Sequence, residues 1–213
     1  MQKITNRGAF AMAVTARRGR TSTGTYNVSG STLDEINRNI QRLGPVDPND
    51  GRRYSGVCRC TIDIQLGRRD VQFETTPGSS PLEVTATVTG GYVTNTCAIT
   101  MPRLRSESAL SSAARQEWRR FLAAVEAHEQ GHVDSYFPEA ETIARALDGL
   151  SAPGTGRNEN AARRAAAEAL NTLIESRYSQ SQLVAIANAN AAAYDRRNRH
   201  GATQGAVLNV TIT

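Results

Sequence analysis

Between Tyr54 and Met101 apolar residues alternate with polar ones. Val57, Ile62, Ile64 and Leu66 mark one strand, and Val71 and Phe73 a second. Val84, Ala86 and Val88 mark a third, and residues 93–101 a fourth. Gly67, the stretch 77–81 (PGSSP) and Gly90-Gly91 punctuate them. The pattern predicts an antiparallel sheet of about four strands, with Thr-rich positions on a solvated face. Upstream, residues 23–29 alternate and read as a strand, and residues 8–16 are a further candidate. Between these and the sheet, Leu33, Ile36, Ile40 and Leu43 recur at helical spacing. Ser31 or Thr32 serves as N-cap, Asp34 and Glu35 fill the first turn, and Gly44-Pro45 stops the helix.

After Pro102 the period becomes helical. Trp118, Phe121, Leu122, Val125, Val133 and Phe137 recur at steps of three, four and eight, predicting a long amphipathic helix from about residue 108. Pro138 either kinks it or opens a new helix running to Leu150. Residues 151–156 (SAPGTG) read as a loop. Residues 157–193 are Ala-rich and helical, with a break near residues 178–181. The last segment opens polar at Tyr194 and ends on a strand-like stretch, 207–212. Strands followed by helices predict an α+β fold. A length of 213 residues suits one domain. It would be sheet-rich over 1–105 and helical over 106–193, with a C-terminal segment at 194–213.

The long helix carries His128-Glu129-Gln130-Gly131-His132, an HExxH sequence. Residues four apart on a helix sit one turn above each other, so the two imidazoles can bind one metal ion from the same side. Glu129 projects about 100° round from His128 and can reach a metal-activated water rather than the ion. The chain has only three His, at 128, 132 and 200, and two of them fall in this motif. A catalytic zinc site needs three protein ligands and an open position. A third His at HExxHxxGxxH spacing is excluded, because Ser135 and Pro138 stand there. Glu139, Glu141, Glu159 and Glu168 follow on helices, but none stands out. Asp134 points away from the two His. His200 is the spare imidazole and the leading candidate for third ligand. It lies beside Gly201, which permits a tight turn. Asp195 is the alternative ligand, or the carboxylate that accepts the other ring N–H of His200. Tyr194, Tyr136 and Arg199 are candidate donors to an oxyanion.

Composition changes this picture little. The net charge is +5 and the sequence pI about 9.5, carried almost wholly by Arg, since Lys3 is the only Lys. The Arg residues are spread along the chain with few aromatics among them, which argues against a nucleic-acid interface. No run of eighteen apolar residues exists to span a membrane. The short apolar stretch 9–14 makes a poor signal peptide. Cys58 and Cys60 alternate on one strand and Cys97 lies on another. One cross-strand disulfide, from Cys97 to Cys58 or Cys60, is compatible with this pattern, and so are three reduced thiols.

Several stretches together resemble the bacterial "domain of unknown function 922" family, described as predicted zinc-dependent proteases. They are TYNVSGSTLDEI with GP at 44–45, MPR at 101–103, Trp118 and Phe121 before HEQGH, and YDRRNRHGATQGA at 194–206. Asn198 stands where the family tends to have Thr. The resemblance implies a peptidase and, more weakly, a periplasmic or secreted setting.

The expectation is a zincin-like zinc metallopeptidase acting on protein or peptide substrates. His128, His132 and His200 would hold one Zn²⁺ ion, with Glu129 as general base. A non-catalytic zinc-containing binding module, and an Arg-rich module for nucleic acid or an anionic polymer, are the alternatives.

Overall fold

The computed structural model describes residues 13–212. Most of the candidate strand at 8–16 and of the apolar stretch 9–14 lies outside the described residues. The described chain packs into two compact units, one of residues 13–17, 63–94 and 140–182, the other of residues 18–62, 95–139 and 183–212.

The first unit is built on an antiparallel sheet of β3 (Val71–Thr75), β4 (Leu82–Val88) and β6 (Ser151–Gly156), in the order β3-β4-β6. Ala86 is the pairing partner of Phe73 on one side and of Ala152 on the other. Val84, Ala86 and Val88 all point to the buried face, as period-two alternation requires. Helix α3 (Glu159–Tyr178) starts at Asn158, whose side chain accepts from the Ala161 N–H at 2.9 Å. Its buried stripe is Ala162, Ala166 and Leu170. Residues 151–156 were expected to be a loop and are a strand. Side chains at Gly154 and Gly156 would collide with the α3 backbone at Ala166 and Ala162. The close approach of helix to sheet thus removes the apolar side chains by which a strand is normally recognised.

The single four-stranded sheet expected from the sequence is corrected to two sheets of three strands. β2 (Val57–Gln65) and β5 (Tyr92–Leu104) belong to the sheet ordered β1-β5-β2, whose third member is β1 (Thr15–Val28). β1 is one strand covering most of the stretch 23–29 and beginning well before it.

The second unit holds the larger core. Helix α1 (Leu33–Leu43) is capped by Thr32, which accepts from the Glu35 N–H, while Glu35 accepts from the Ser31 N–H. Leu33, Ile36 and Ile40 are buried with Val28, Trp118, Phe121, Val125 and Leu208, whereas Leu43 is exposed. Cys60 and Cys97 form a disulfide between β2 and β5, leaving Cys58 free. Helix α2 (Ser112–Leu147) stays helical through Pro138. Helix α4 (Gln180–Asn198) continues through the segment expected to open polar at Tyr194. Its buried positions are Leu183, Ala187, Ala191 and Asp195, four apart, so Asp195 ends an otherwise apolar stripe.

Residues 207–212, expected to be strand-like, form no strand. Side chains of α2 take their backbone groups instead. The Arg120 guanidinium donates to the carbonyls of Gly205 (2.8 Å) and Val207 (2.7 Å), and Glu117 accepts from the Asn209 N–H (2.8 Å). Among the described residues no helix is long and apolar enough to cross a membrane.

Candidate metal centre

His128 and His132 lie one turn apart on α2, ring centroids 4.9 Å apart and nearly perpendicular. Their Nε2 atoms converge on one atom. Asp195 Oδ1 lies 3.1 Å from His128 Nε2 and 3.0 Å from His132 Nε2, and all three residues are buried. Burial pushes the Asp195 carboxyl up, but its hydrogen bonds to the two imidazoles outweigh that and hold it well below the usual carboxylate range.

The outer contacts determine which nitrogen of His128 is free. Nδ1–H of His128 donates to Gln204 Oε1 at 2.8 Å, so Nε2 is the nitrogen turned towards Asp195. The Gln204 amide also donates to the Tyr194 hydroxyl at 3.1 Å. The Tyr194 ring packs 5.3 Å from the His128 ring and 4.6 Å from the His132 ring. A side chain at position 131 would collide with the Tyr194 hydroxyl, which is why the helical motif carries Gly131. Tyr194 is therefore a packing and hydrogen-bonding support for the two histidines and is not among the residues lining the cavity. Gly201 meets a similar limit: a Cβ there would lie 3.1 Å from His128 Cγ.

Glu129 is almost wholly buried. It accepts a hydrogen bond from the Cys58 backbone N–H, while its Oε2 has no partner. Gly56 makes room for it, since a Cβ at that position would come within 2.6 Å of Oε1. Burial pushes the Glu129 carboxyl up to about 7, against the pull of His128. Burial, and secondarily Glu129, push the Cys58 thiol up to about 12, so it stays protonated at neutral pH.

His200 also faces Asp195, more distantly than the other two histidines. Its Nδ1 is 3.5 Å from Asp195 Oδ1, and its ring stacks on Tyr54 at 4.1 Å. The end of α4 sets this arrangement. The His200 N–H donates to the Asp195 carbonyl at 3.0 Å, and Arg199 between them is left-handed (φ 48°), which is a Schellman cap. His200 (φ 50°) and Gly201 (φ 79°) continue the left-handed run. Left-handed backbone costs a non-glycine residue about 1 kcal/mol or more. Strain of this kind concentrates where position matters for function.

Of the residues named from sequence, His128, Glu129, His132 and Asp195 come together. His200 stands one step behind, joined through Asp195. Tyr136 and Arg199 also line the cavity, which is about 690 Å³. Gln204, Tyr54 and the Cys58 N–H were missed. Gln204 had a signal in the QG that follows HG, whereas a backbone donor leaves none.

The donor set fits a divalent cation. Two imidazole nitrogens and one carboxylate oxygen suit zinc, and spacings of 3.0 and 3.1 Å lie near the edge of about 3.3 Å that a tetrahedron with ~2.0 Å arms requires. The unpartnered Glu129 oxygen beside them is a buried acceptor with nothing to accept.

No curated protein and no solved structure matches the chain. A family profile described as "Bacterial protein of unknown function (DUF922)" matches residues 23–201. That span takes in the capped helix α1, the HExxH helix and the Asp195–His200 cap, and the chain belongs to this family.

Proposed function

We propose that this protein is a zinc-dependent metallopeptidase whose ion is held by His128, His132 and Asp195. The observation that carries the reading is the convergence of both HExxH imidazoles on Asp195 Oδ1, with the free oxygen of Glu129 beside them. Asp195 thus takes the ligand role for which His200 was the leading candidate, and His200 becomes its neighbour.

Zinc in such a site lowers the pKa of its bound water towards ~7 and polarises the substrate carbonyl. The side chains do the rest. Gln204 holds His128 in the tautomer that can ligate, and the end of α4 aims Asp195. Glu129 takes a proton from the attacking water as the water oxygen bonds to the carbonyl carbon. It returns that proton to the amine nitrogen as the C–N bond breaks. A group buried enough to titrate near neutrality is suited to both transfers. The Cys58 N–H keeps one Glu129 oxygen occupied, leaving the other for the water. The disulfide supports an oxidising setting such as the periplasm or the exterior.

The test is zinc-dependent cleavage. Protein loaded with zinc and mixed with a pool of denatured proteins should release new amino termini, identified by mass spectrometry. Chelation should stop this and zinc restore it. A broad pool left intact by fully zinc-loaded protein would contradict the reading.

A further inference from the structure

Asp195 belongs to two sets of ligand atoms. One is His128, His132 and Asp195. The other is Asp47, Asp195 and His200, whose ligand atoms also lie within 4.8 Å of one another. No set unites all three imidazoles at that spacing. A single tetrahedral ion would need its ligand atoms about 3.3 Å apart, so His200 is too far round to share the ion of His128 and His132.

We propose that a second divalent cation binds between Asp47, Asp195 and His200, with the Asp195 carboxylate bridging the two ions. The proposal rests on the reading that the first set binds metal. Asp47 is buried and sits on a closed loop. Its N–H donates to the Arg52 carbonyl (2.8 Å) and its carbonyl accepts from the Gly51 N–H (2.9 Å). Its Oδ1 accepts from the Asn49 N–H at 2.7 Å, and no Arg pairs with Asp47 or Asp195 among the described residues. Buried carboxylates need compensation by hydrogen-bonded partners or by a cation, and a cation between Asp47 and Asp195 would compensate both.

His200 supplies an independent argument. The Tyr54 hydroxyl donates to Asp50 Oδ2 at 2.5 Å, so its oxygen is left to accept from His200 Nε2–H at 3.1 Å. With Nε2 so bonded, Nδ1 is the His200 nitrogen turned towards the Asp195 carboxylate, 3.5 Å from Oδ1. Gln204 does the same for His128. In both cases an outer hydrogen bond occupies the far nitrogen and leaves the near one as a ligand. The strained left-handed backbone at His200 maintains that orientation.

Metal stoichiometry decides it. Full-length protein saturated with Zn²⁺ and freed of excess should hold two equivalents by inductively coupled plasma mass spectrometry. Asp47→Asn should hold one, because the amide keeps the acceptor for Asn49 but loses the charge. Loaded with Mn²⁺, the wild type should give the electron paramagnetic resonance signal of a coupled pair, and Asp47→Asn that of an isolated ion. His200→Gln repeats the test should Asp47→Asn fold poorly by circular dichroism. One equivalent in the wild type would overturn the second site and leave the first standing. None would overturn both. Two equivalents retained in folded Asp47→Asn and His200→Gln would put the second ion elsewhere and also overturn the proposal.

Discussion

Gln204 does for the centre what a ligand cannot do for itself. It occupies His128 Nδ1 and props the Tyr194 hydroxyl, so one amide settles the tautomer of one histidine and the ring that packs against both. Removing an outer partner of this kind commonly costs 10–100-fold in metal affinity. Gln204→Ala should therefore weaken zinc binding by about that factor in a competition titration with a chromophoric chelator. Gln204→Glu, which keeps an acceptor oxygen, should restore most of it. Equal affinities for wild type and Gln204→Ala would remove Gln204 from the account. At this scale the sequence was most legible where chemistry and spacing coincide. HExxH identifies His128 and His132 because the helix repeat itself puts them on one face, with Glu129 about 100° round from His128. The relation of Asp195 to His200 was not legible, because it depends on where α4 ends. The residue at that end is Arg199, which adopts the left-handed conformation that a Gly would have advertised.

The elements tell the same story of visible and hidden signals. Thr32, the acidic first turn and Gly44 delimit α1 as their types dictate. The stripe Leu183–Ala187–Ala191–Asp195 could have been followed into the HG segment, since a carboxylate continuing an apolar stripe is itself a signal of function. Residues 207–212 alternate like a strand, yet Arg120 and Glu117 hold their backbone on α2. Glu117 is held below the usual carboxylate range, first by its hydrogen bonds to Arg120. A depressed folded-state pKa contributes stability that is present above the unfolded value and is lost as pH falls through the folded one. That window opens below about pH 5, given an unfolded Glu near ~4.3. Glu117→Gln should thus be less stable than wild type at pH 7 by about 1 kcal/mol. The difference should shrink towards pH 3. Urea denaturation at both pH values measures it, and a difference that does not change with pH would show that the Glu117 charge does not hold the segment.

Across the whole molecule, the α+β class was legible from the change of period, but the pairing of strands was not. Alternation says that a strand has a buried face and is silent on its neighbour, so β2 to β5 read as one sheet. β6 escaped because Gly154 and Gly156 yield their side-chain space to α3. The family match, residues 23–201, reaches from β1 to the cap of α4 and so covers His128, His132 and Asp195. The central claim is that Glu129 moves a proton at a metal held by other residues. Glu129→Gln tests it most directly, with zinc content and hydrolysis of an identified substrate measured on the same preparation. Gln fills the same space beside Gly56 and cannot take the proton. Zinc content should be unchanged and turnover lower by roughly 10²–10⁴. A variant that keeps its zinc and cleaves at the wild-type rate would contradict the claim.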